Sequence, residues 1–507
     1  MSGLDGAFLH IETPETPMHV GALYLLSKPE NMEGSYFEEV KRLLMPRLAM
    51  SPFFRARLAP MPFNLVNPVW VEDRLPNPEY HLRQVLLPHP GSIEQLQDKV
   101  AELHAGLLDR SQPLWELTVI DGLADGSVAI YMKVHHAALD GASGVALASI
   151  LFDSSATPRP VPADWREQAS QSAPTTLLQR IGAAVKQTSD QYGKLMRGIP
   201  ELLDVVGGLL RQSGTGGAPS GKQKQNFALG PKTPLNVPIT SERGFAALTL
   251  PLAGIKRIAA THDVKLNDVV LAVCSGAMRS YLKQHHSLPR KSLIATIPVS
   301  LRAAGDTSTT TQATLTLVNL ATHIADPLKR LHAIRGAATA AKTLTNQAKS
   351  VMPTDFPSLG VPWLLGGLAS LYGLSRISSV VPPIANLLIS NVPGPRQPLY
   401  VAGGQILAYW PLSIVEHGLG LNVTVMSYCD SLDIGLTVAR NAVPDVHLLA
   451  QMVNRAYEEL EQLPAPATGE PADTAASPAK PRRKSNAPAT EAAAKPKPRT
   501  RKNPETA

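Results

Sequence analysis

The 507-residue sequence predicts an α/β protein, in which short apolar strand-like runs alternate with segments of helical period. Three observations carry this. Ser127–Val134 is a compact apolar run, and Gly144–Phe152 follows it with helical character. Phe245–Leu252, Leu293–Val299, Ile384–Ser390, Leu419–Tyr428 and Leu432–Val438 read as further strands. Asn267–Gln284 and Val446–Leu463 read as helices, the first with Asn267 or Asp268 as its cap.

A chain this long exceeds one ordinary core, so two core regions with connections are expected. Residues 1–155 form the first, alternating strand and helix. Residues 156–242 are a long connection whose ends are rich in Pro, Ser, Gly and Gln. Between those ends, apolar residues from Leu177 to Leu210 recur at spacings of three and four, flanked by Lys186, Lys194, Arg197 and Arg211. This stripe reads either as a helix pair packed on the core or as an interfacial helix that touches lipid. Residues 243–463 form the second core region, closed by the helix from Val446.

Residues 464–507 are Ala, Pro, Lys, Thr and Ser with little to bury, the composition of a disordered tail. Nine Lys/Arg against four Asp/Glu put +5 of the chain's +7 there and leave the rest near neutral at +2. The tail has no aromatic residue to stack on bases, so no specific nucleic-acid partner is expected. Attraction to an anionic membrane surface is the functional alternative to a solvated tail.

The two cysteines, Cys274 and Cys429, offer neither a disulfide framework nor metal-ligand spacing. They read as small buried hydrophobes in a reducing compartment. The start carries no basic or apolar leader, so no secretory signal is read. Phe356–Ser375 is long enough to span a bilayer, but its prolines and glycines favour a buried or interfacial segment.

The strongest chemical signal is His135-His136-xxx-Asp140-Gly141, placed where a buried strand gives way to a helix. Adjacent histidines also occur by chance, as at His285-His286. A two-histidine zinc site fits poorly, because neighbours on a strand point to opposite faces; no metal is expected. Acyl transfer from a thioester to a hydroxyl suits the motif. One imidazole can take the hydroxyl proton and return it to the departing sulfur, since its pKa lies near operating pH. No covalent intermediate is needed if both substrates are bound together. A second group should set the imidazole's orientation, and Gly141 would let the backbone pass close by.

Further segments line up with the motif. They are Leu4-Asp5-Gly6-Ala7-Phe8-Leu9, Pro17-Met18-His19-Val20-Gly21, Pro113-Leu114-Trp115-Glu116, Pro234-Leu235-Asn236, Asn267-Asp268 and Ser390-Asn391-Val392-Pro393-Gly394-Pro395. In this order they resemble the bacterial wax ester synthase/acyl-CoA:diacylglycerol acyltransferase family, from residue 1 to about 462 with a break in the connection. The resemblance implies two chloramphenicol-acetyltransferase-like, sheet-containing halves with a tunnel between them. It implies an acyl-CoA-dependent O-acyltransferase with His136 as base, His135 structural, and Asp140 and Gly141 shaping the site. Asn267 would donate a hydrogen bond there with support from Asp268, and the alternative is a plain helix cap. Asn391, Pro393 and Gly394 would form a rigid turn lining the substrate channel. Pro113-Leu114-Trp115 and His19 read as packing residues. One departure is Arg243-Gly244-Phe245, with glycine where the family often carries a second arginine, which bears on contact with coenzyme A phosphate.

The implied partners are long-chain acyl-CoA and a fatty alcohol or diacylglycerol, with the thioester as substrate and no separate cofactor. The implied location is cytoplasmic, peripheral to the inner membrane or lipid inclusions. Two other readings remain: a related transferase with a different acyl carrier or acceptor, and a catalytically silent lipid-surface binding protein. The preferred acceptor and the oligomeric state are not written in the sequence.

Overall fold

The structure, a computed structural model, describes residues 3–29, 32–59, 68–72, 75–139, 143–170, 229–300, 313–348 and 383–465. The apolar stripe between 174 and 211, the stretch 356–375, Asp140, Gly141 and the tail beyond 465 lie outside the described residues.

The helices are α1 (Gly3–Ile11), α2 (Tyr36–Met50), α3 (Pro52–Arg55), α4 (Pro78–His81), α5 (Ile93–Ala105) and α6 (Ser143–Leu151). Further along are α7 (Trp165–Ser170), α8 (Leu252–Thr261), α9 (Leu266–Gln284), α10 (Pro327–Ala348) and α11 (Val446–Glu461). In the first half the strands are β1 (His19–Leu26), β2 (Ala56–Ala59), β3 (Val69–Glu72), β4 (Leu82–Leu86), β5 (Trp115–Asp121) and β6 (Val128–His135). The rest are β7 (Arg243–Pro251), β8 (Ile294–Ser300), β9 (Ala313–Asn319), β10 (Leu387–Val392), β11 (Tyr400–Val401), β12 (Gly404–Leu412), β13 (Leu421–Tyr428) and β14 (Ser431–Ala439).

Two six-stranded mixed sheets carry the fold, ordered β11-β12-β1-β6-β5-β4 and β7-β14-β13-β10-β8-β9, with β2 and β3 paired apart. In the first sheet β6 sits between β1 and β5, antiparallel to both. All eight of its residues are buried because both faces are covered. On one face Val128, Ile130, Met132 and Val134 pack with Val40, Leu44 and Leu48 of α2. On the other, Ala129 and Tyr131 pack with Leu96, Val100 and Ala101 of α5. A strand buried on two faces shows no polar alternation, which is why this run is apolar almost throughout. Its one charged residue, Lys133, donates to Glu116 at 3.1 Å and to the Leu103 and Gly106 carbonyls at the end of α5. Helix α5 starts on a capping box, with Ser92 and Gln95 each accepting from the other's backbone N–H.

The second sheet is covered by α8, α9, α10 and α11, whose apolar sides share one core with it. Cys274 is buried there, its thiol pushed up to about 12 by burial; Cys429 is half-buried against the first half's core. The connection re-enters at Asn236, a buried hub that donates to the Ala385 and Gly418 carbonyls and accepts from Thr233 and Asn386.

The division at 243 is crossed by the β11–β12 hairpin. β12, from the second region, pairs antiparallel with β1 and so belongs to the first sheet. Side chains of the second sheet then hold it: Tyr409 N–H donates to Asp433 at 2.8 Å, Trp410 Nε1–H to Thr249 at 3.0 Å and Ser413 N–H to Thr437 at 3.2 Å. Within the connection, α7 packs on α2, and Arg55 donates to the Ala169 carbonyl.

At this seam a Cβ on Gly435 would stand 1.8 Å from the Pro411 carbonyl oxygen. Backbone lies on both sides, so nothing can rotate away. Gly435→Ala is expected to cost about 3 kcal/mol or more, by forcing the seam apart. A urea midpoint equal to that of the parent protein would show that the seam yields.

Candidate active site

His135 ends β6. Its N–H donates to the Leu114 carbonyl at 3.0 Å, and the next N–H, of His136, donates to the Met18 carbonyl at 2.8 Å. The chain then turns into a short 3₁₀ helix, His136–Ala138. The turn has a local cause: His135 Nδ1 accepts from the Ala137 N–H at 3.0 Å and caps it. Since Nδ1 accepts, the ring proton is on Nε2, which lies 3.3 Å from Glu12 Oε1. His135 is fully buried. It shapes the turn.

Glu12 is the residue that sequence reasoning missed. Its side chain is almost fully buried just past the end of α1. Oε1 also accepts from the Met18 N–H at 3.0 Å, and Oε2 accepts from Arg110 at 2.8 Å. Burial alone would raise this carboxyl, but His135, Met18 and Arg110 outweigh it and hold the group at about 2. Its one sequence signal was an acid directly following the apolar run Ala7-Phe8-Leu9-His10-Ile11.

His136 is only partly exposed, and its Nδ1 is buried without a hydrogen-bond partner. The Phe8 ring stacks on it, with centroids 4.1 Å apart and planes 26° from parallel. Burial pushes the imidazole down to about 4, and its own backbone carbonyl offsets part of that. The ring is therefore neutral across the neutral pH range and able to take a proton.

The neighbouring motifs serve this strand end. Trp115 is buried, donates Nε1–H to the Phe54 carbonyl at 2.9 Å and stacks on His81 at 4.1 Å. Leu114 lends its carbonyl to His135. His19 faces His135 across the β1–β6 ladder, and its Nε2 meets the His104 carbonyl at 2.5 Å. Burial keeps His19 well below the usual histidine range, with the His104 ring and the Lys133 ammonium beside it.

A second group of predicted residues belongs to the other sheet. The α9 cap is Lys265, not Asn267 or Asp268. Asp268 is the third helical residue; it is buried and accepts from the Lys265 N–H at 2.9 Å, closing the first turn. Asn267, one residue earlier, is half-buried, and its Oδ1 meets Asn391 Nδ2 at 3.5 Å, the long limit of a hydrogen bond. Beyond Asn391, β10 ends at Pro393-Gly394-Pro395. Gly394 N–H donates to Ser427 Oγ at 3.1 Å, and the Pro395 carbonyl accepts from Cys429 N–H at 2.9 Å. A Cβ on Gly394 would stand 2.1 Å from the Ser427 carbonyl oxygen, so only glycine fits this turn.

Arg243 is buried and spends its guanidinium on the carbonyls of Thr240, Glu242 and Glu15. Burial lowers it to about 10. A Cβ on Gly244 would meet Val438 at 2.8 Å, so an arginine has no room there.

Comparison with known proteins matches residues 1–270 to the wax ester synthase/diacylglycerol acyltransferase catalytic domain and residues 311–461 to the WS/DGAT C-terminal domain. The chain belongs to the wax ester synthase/diacylglycerol acyltransferase family. It is an acyltransferase. A putative diacylglycerol O-acyltransferase of Mycobacterium tuberculosis is 36% identical over 463 residues, covering 91% of this chain and 99% of the relative. The O-acyltransferase WSD of Acinetobacter baylyi is 35% identical over 450 residues, covering 87% and 92%. Among solved structures, the wax ester synthase/diacylglycerol acyltransferase of Marinobacter aquaeolei VT8 superposes with TM-score 0.64 at 28% identity, covering 90% of this chain and 97% of that one. The TRI3 trichothecene 15-O-acetyltransferase of Fusarium sporotrichioides, at 13% identity and TM-score 0.54 over 91% and 94% of the two chains, shares the fold. The two-sheet α/β architecture of the family is the one expected from the sequence.

Proposed function

We propose that this protein transfers a long-chain acyl group from acyl-CoA to the hydroxyl of a fatty alcohol or diacylglycerol, with His136 as general base. The observation that carries this is a neutral, half-sheltered imidazole at the end of a rigid strand, in a chain of the wax ester synthase/diacylglycerol acyltransferase family. Its buried Nδ1 leaves Nε2 for the reaction. Nε2 takes the hydroxyl proton as the oxygen attacks the thioester carbon. The C–S bond then breaks, and the same proton passes to sulfur, giving ester and free coenzyme A. An imidazole held this low is a weak base, so proton removal runs in concert with attack. The reaction needs no cofactor beyond the thioester substrate.

Both long chains would lie in a passage between the two sheet-containing halves. Asn267, held through Oδ1 by Asn391, keeps its Nδ2 for a substrate oxygen, and Pro393-Gly394 holds the adjoining wall rigid. Asp268 supports Asn267 by closing the turn beneath it. Among the described residues no helix is long and apolar enough to cross a membrane. Substrates this insoluble support a peripheral site of action, at the inner membrane or a lipid inclusion.

Thiol release from palmitoyl-CoA, followed with a panel of acceptors, tests the proposal. Release is expected only with a long-chain alcohol or diacylglycerol. Equal turnover of small acceptors would point to a transferase of other specificity, and vesicle binding without turnover to a lipid-surface protein.

A further inference from the structure

Triad enzymes fix the plane of their histidine with a carboxylate on the second ring nitrogen. His136 lacks that device among the described residues, since its Nδ1 is buried with no hydrogen-bond partner. The ring torsion of a histidine is intrinsically broad, so something else must hold this one. Among the described residues the Phe8 ring stacks on it, 4.1 Å away and 26° from parallel.

The helix that carries Phe8 is fastened at several points. Leu9 is buried among Leu58, Leu108, Leu114 and Ala137, the last belonging to the histidine turn itself. Arg110 donates to the Leu9 carbonyl at 2.6 Å, closing the end of α1, and to Glu12 at 2.8 Å. Glu12, four residues after Phe8, accepts from Met18 N–H and stands 3.3 Å from His135. Met18 in turn accepts from the His136 N–H. Phe8, in the last turns of α1, and Glu12, just past its end, therefore meet the two neighbouring histidines.

We propose that Phe8 is a positioning residue for acyl transfer: its ring sets the plane of the His136 imidazole and seals one face of it from water. The assignment rests on His136 being the base. A ring free to rotate spends most of its time with Nε2 off the line of the hydroxyl proton. A ring open to water on that face also gains a hydration shell that favours its protonated form, as exposure does for any histidine.

The test compares Phe8→Ala, Phe8→Leu and Phe8→Tyr with the parent protein, using palmitoyl-CoA and hexadecanol. Readouts are kcat and KM, the acid limb of the pH–rate profile, and titration of the His136 ring in ¹⁵N-histidine-labelled protein, identified by its loss in His136→Ala. Phe8→Ala is expected to lower kcat on the order of 10²-fold with KM within about twofold. It should also raise the acid limb and the ring titration together by about one pH unit. Phe8→Tyr, which keeps a stacking ring, should recover most of kcat. Phe8→Leu, which fills the volume without a plane, should keep the acid limb low and lose kcat.

Unchanged kcat and unchanged ring titration in Phe8→Ala would overturn the proposal. So would a rise in KM alone, which would place Phe8 against substrate and not against the ring. If Phe8→Ala unfolds, the Leu and Tyr variants decide by the same criteria. Full activity in His136→Ala removes the base and this inference with it. A dead His136→Ala beside a parent-like Phe8→Ala removes this inference alone.

Discussion

His136→Ala is expected to slow acceptor-dependent thiol release from palmitoyl-CoA roughly a thousandfold, the middle of the range for a positioned general base. The fold should survive, because the turn is capped by His135 and the strand end is held by the backbone bonds to Leu114 and Met18. KM should change little, since the imidazole acts on a proton and not on the long chains. The pH profile gives an independent check. A base works when deprotonated, and burial holds this one at about 4. For the parent enzyme kcat/KM is therefore expected to stay level as pH falls from 8 through 6 and to drop only near 4. A drop centred at 6.5 would mean that the ring is solvated in the free enzyme. Retained turnover in His136→Ala would mean that another group takes the proton.

The second large effect is on stability. Glu12→Ala is expected to cost about 2–3 kcal/mol, because it strands the Met18 N–H and leaves the buried His135 ring without its carboxylate, while the exposed Arg110 keeps water and the Leu9 carbonyl. The Met18 N–H loses a bond of 3.0 Å and Arg110 one of 2.8 Å, and His135 loses its only carboxylate neighbour among the described residues. The sign with pH follows from linkage. The Glu12 carboxyl is lower in the folded protein, at about 2, than its ordinary value of 4.5. Its stabilisation is complete above 4.5 and is lost as pH falls through 2. Urea unfolding of both proteins should show the full gap at pH 7 and a narrowing gap below pH 4.5. A gap under about 1 kcal/mol at pH 7 would reduce Glu12 to an ordinary surface-like pair.

The strand that ends at the double histidine was readable because its pattern is local. Val128–His135 is apolar on both faces, so its burial and its end point are visible without knowing the neighbours. Helix α9 was visible for the same reason, through its period. Its first turn was misread: Asn and Asp are favoured caps, but Lys265 takes that place and Asp268 reaches back from the third position. The Pro393-Gly394-Pro395 turn was legible as rigid from composition, while the requirement for glycine comes from the Ser427 carbonyl. Nothing in the Glu12 sequence context announces a partner 123 residues later. A carboxylate near an N-terminus is ordinarily solvated, and only packing of α1 against the histidine turn removes it from water.

By itself the sequence determined the α/β class, several of the strands and helices, and the double-histidine motif to which the proton chemistry is assigned in the proposal. All of these follow from short-range periodicity and from residue types close along the chain. Tertiary structure alone decided that β11 and β12 leave their own half to complete the first sheet, and that α1 and the residue just after it bring Phe8 and Glu12 onto the two histidines. Both are contacts across long separations. They are fixed by which apolar faces and unpaired backbone edges meet when the chain collapses, and residue order does not display that.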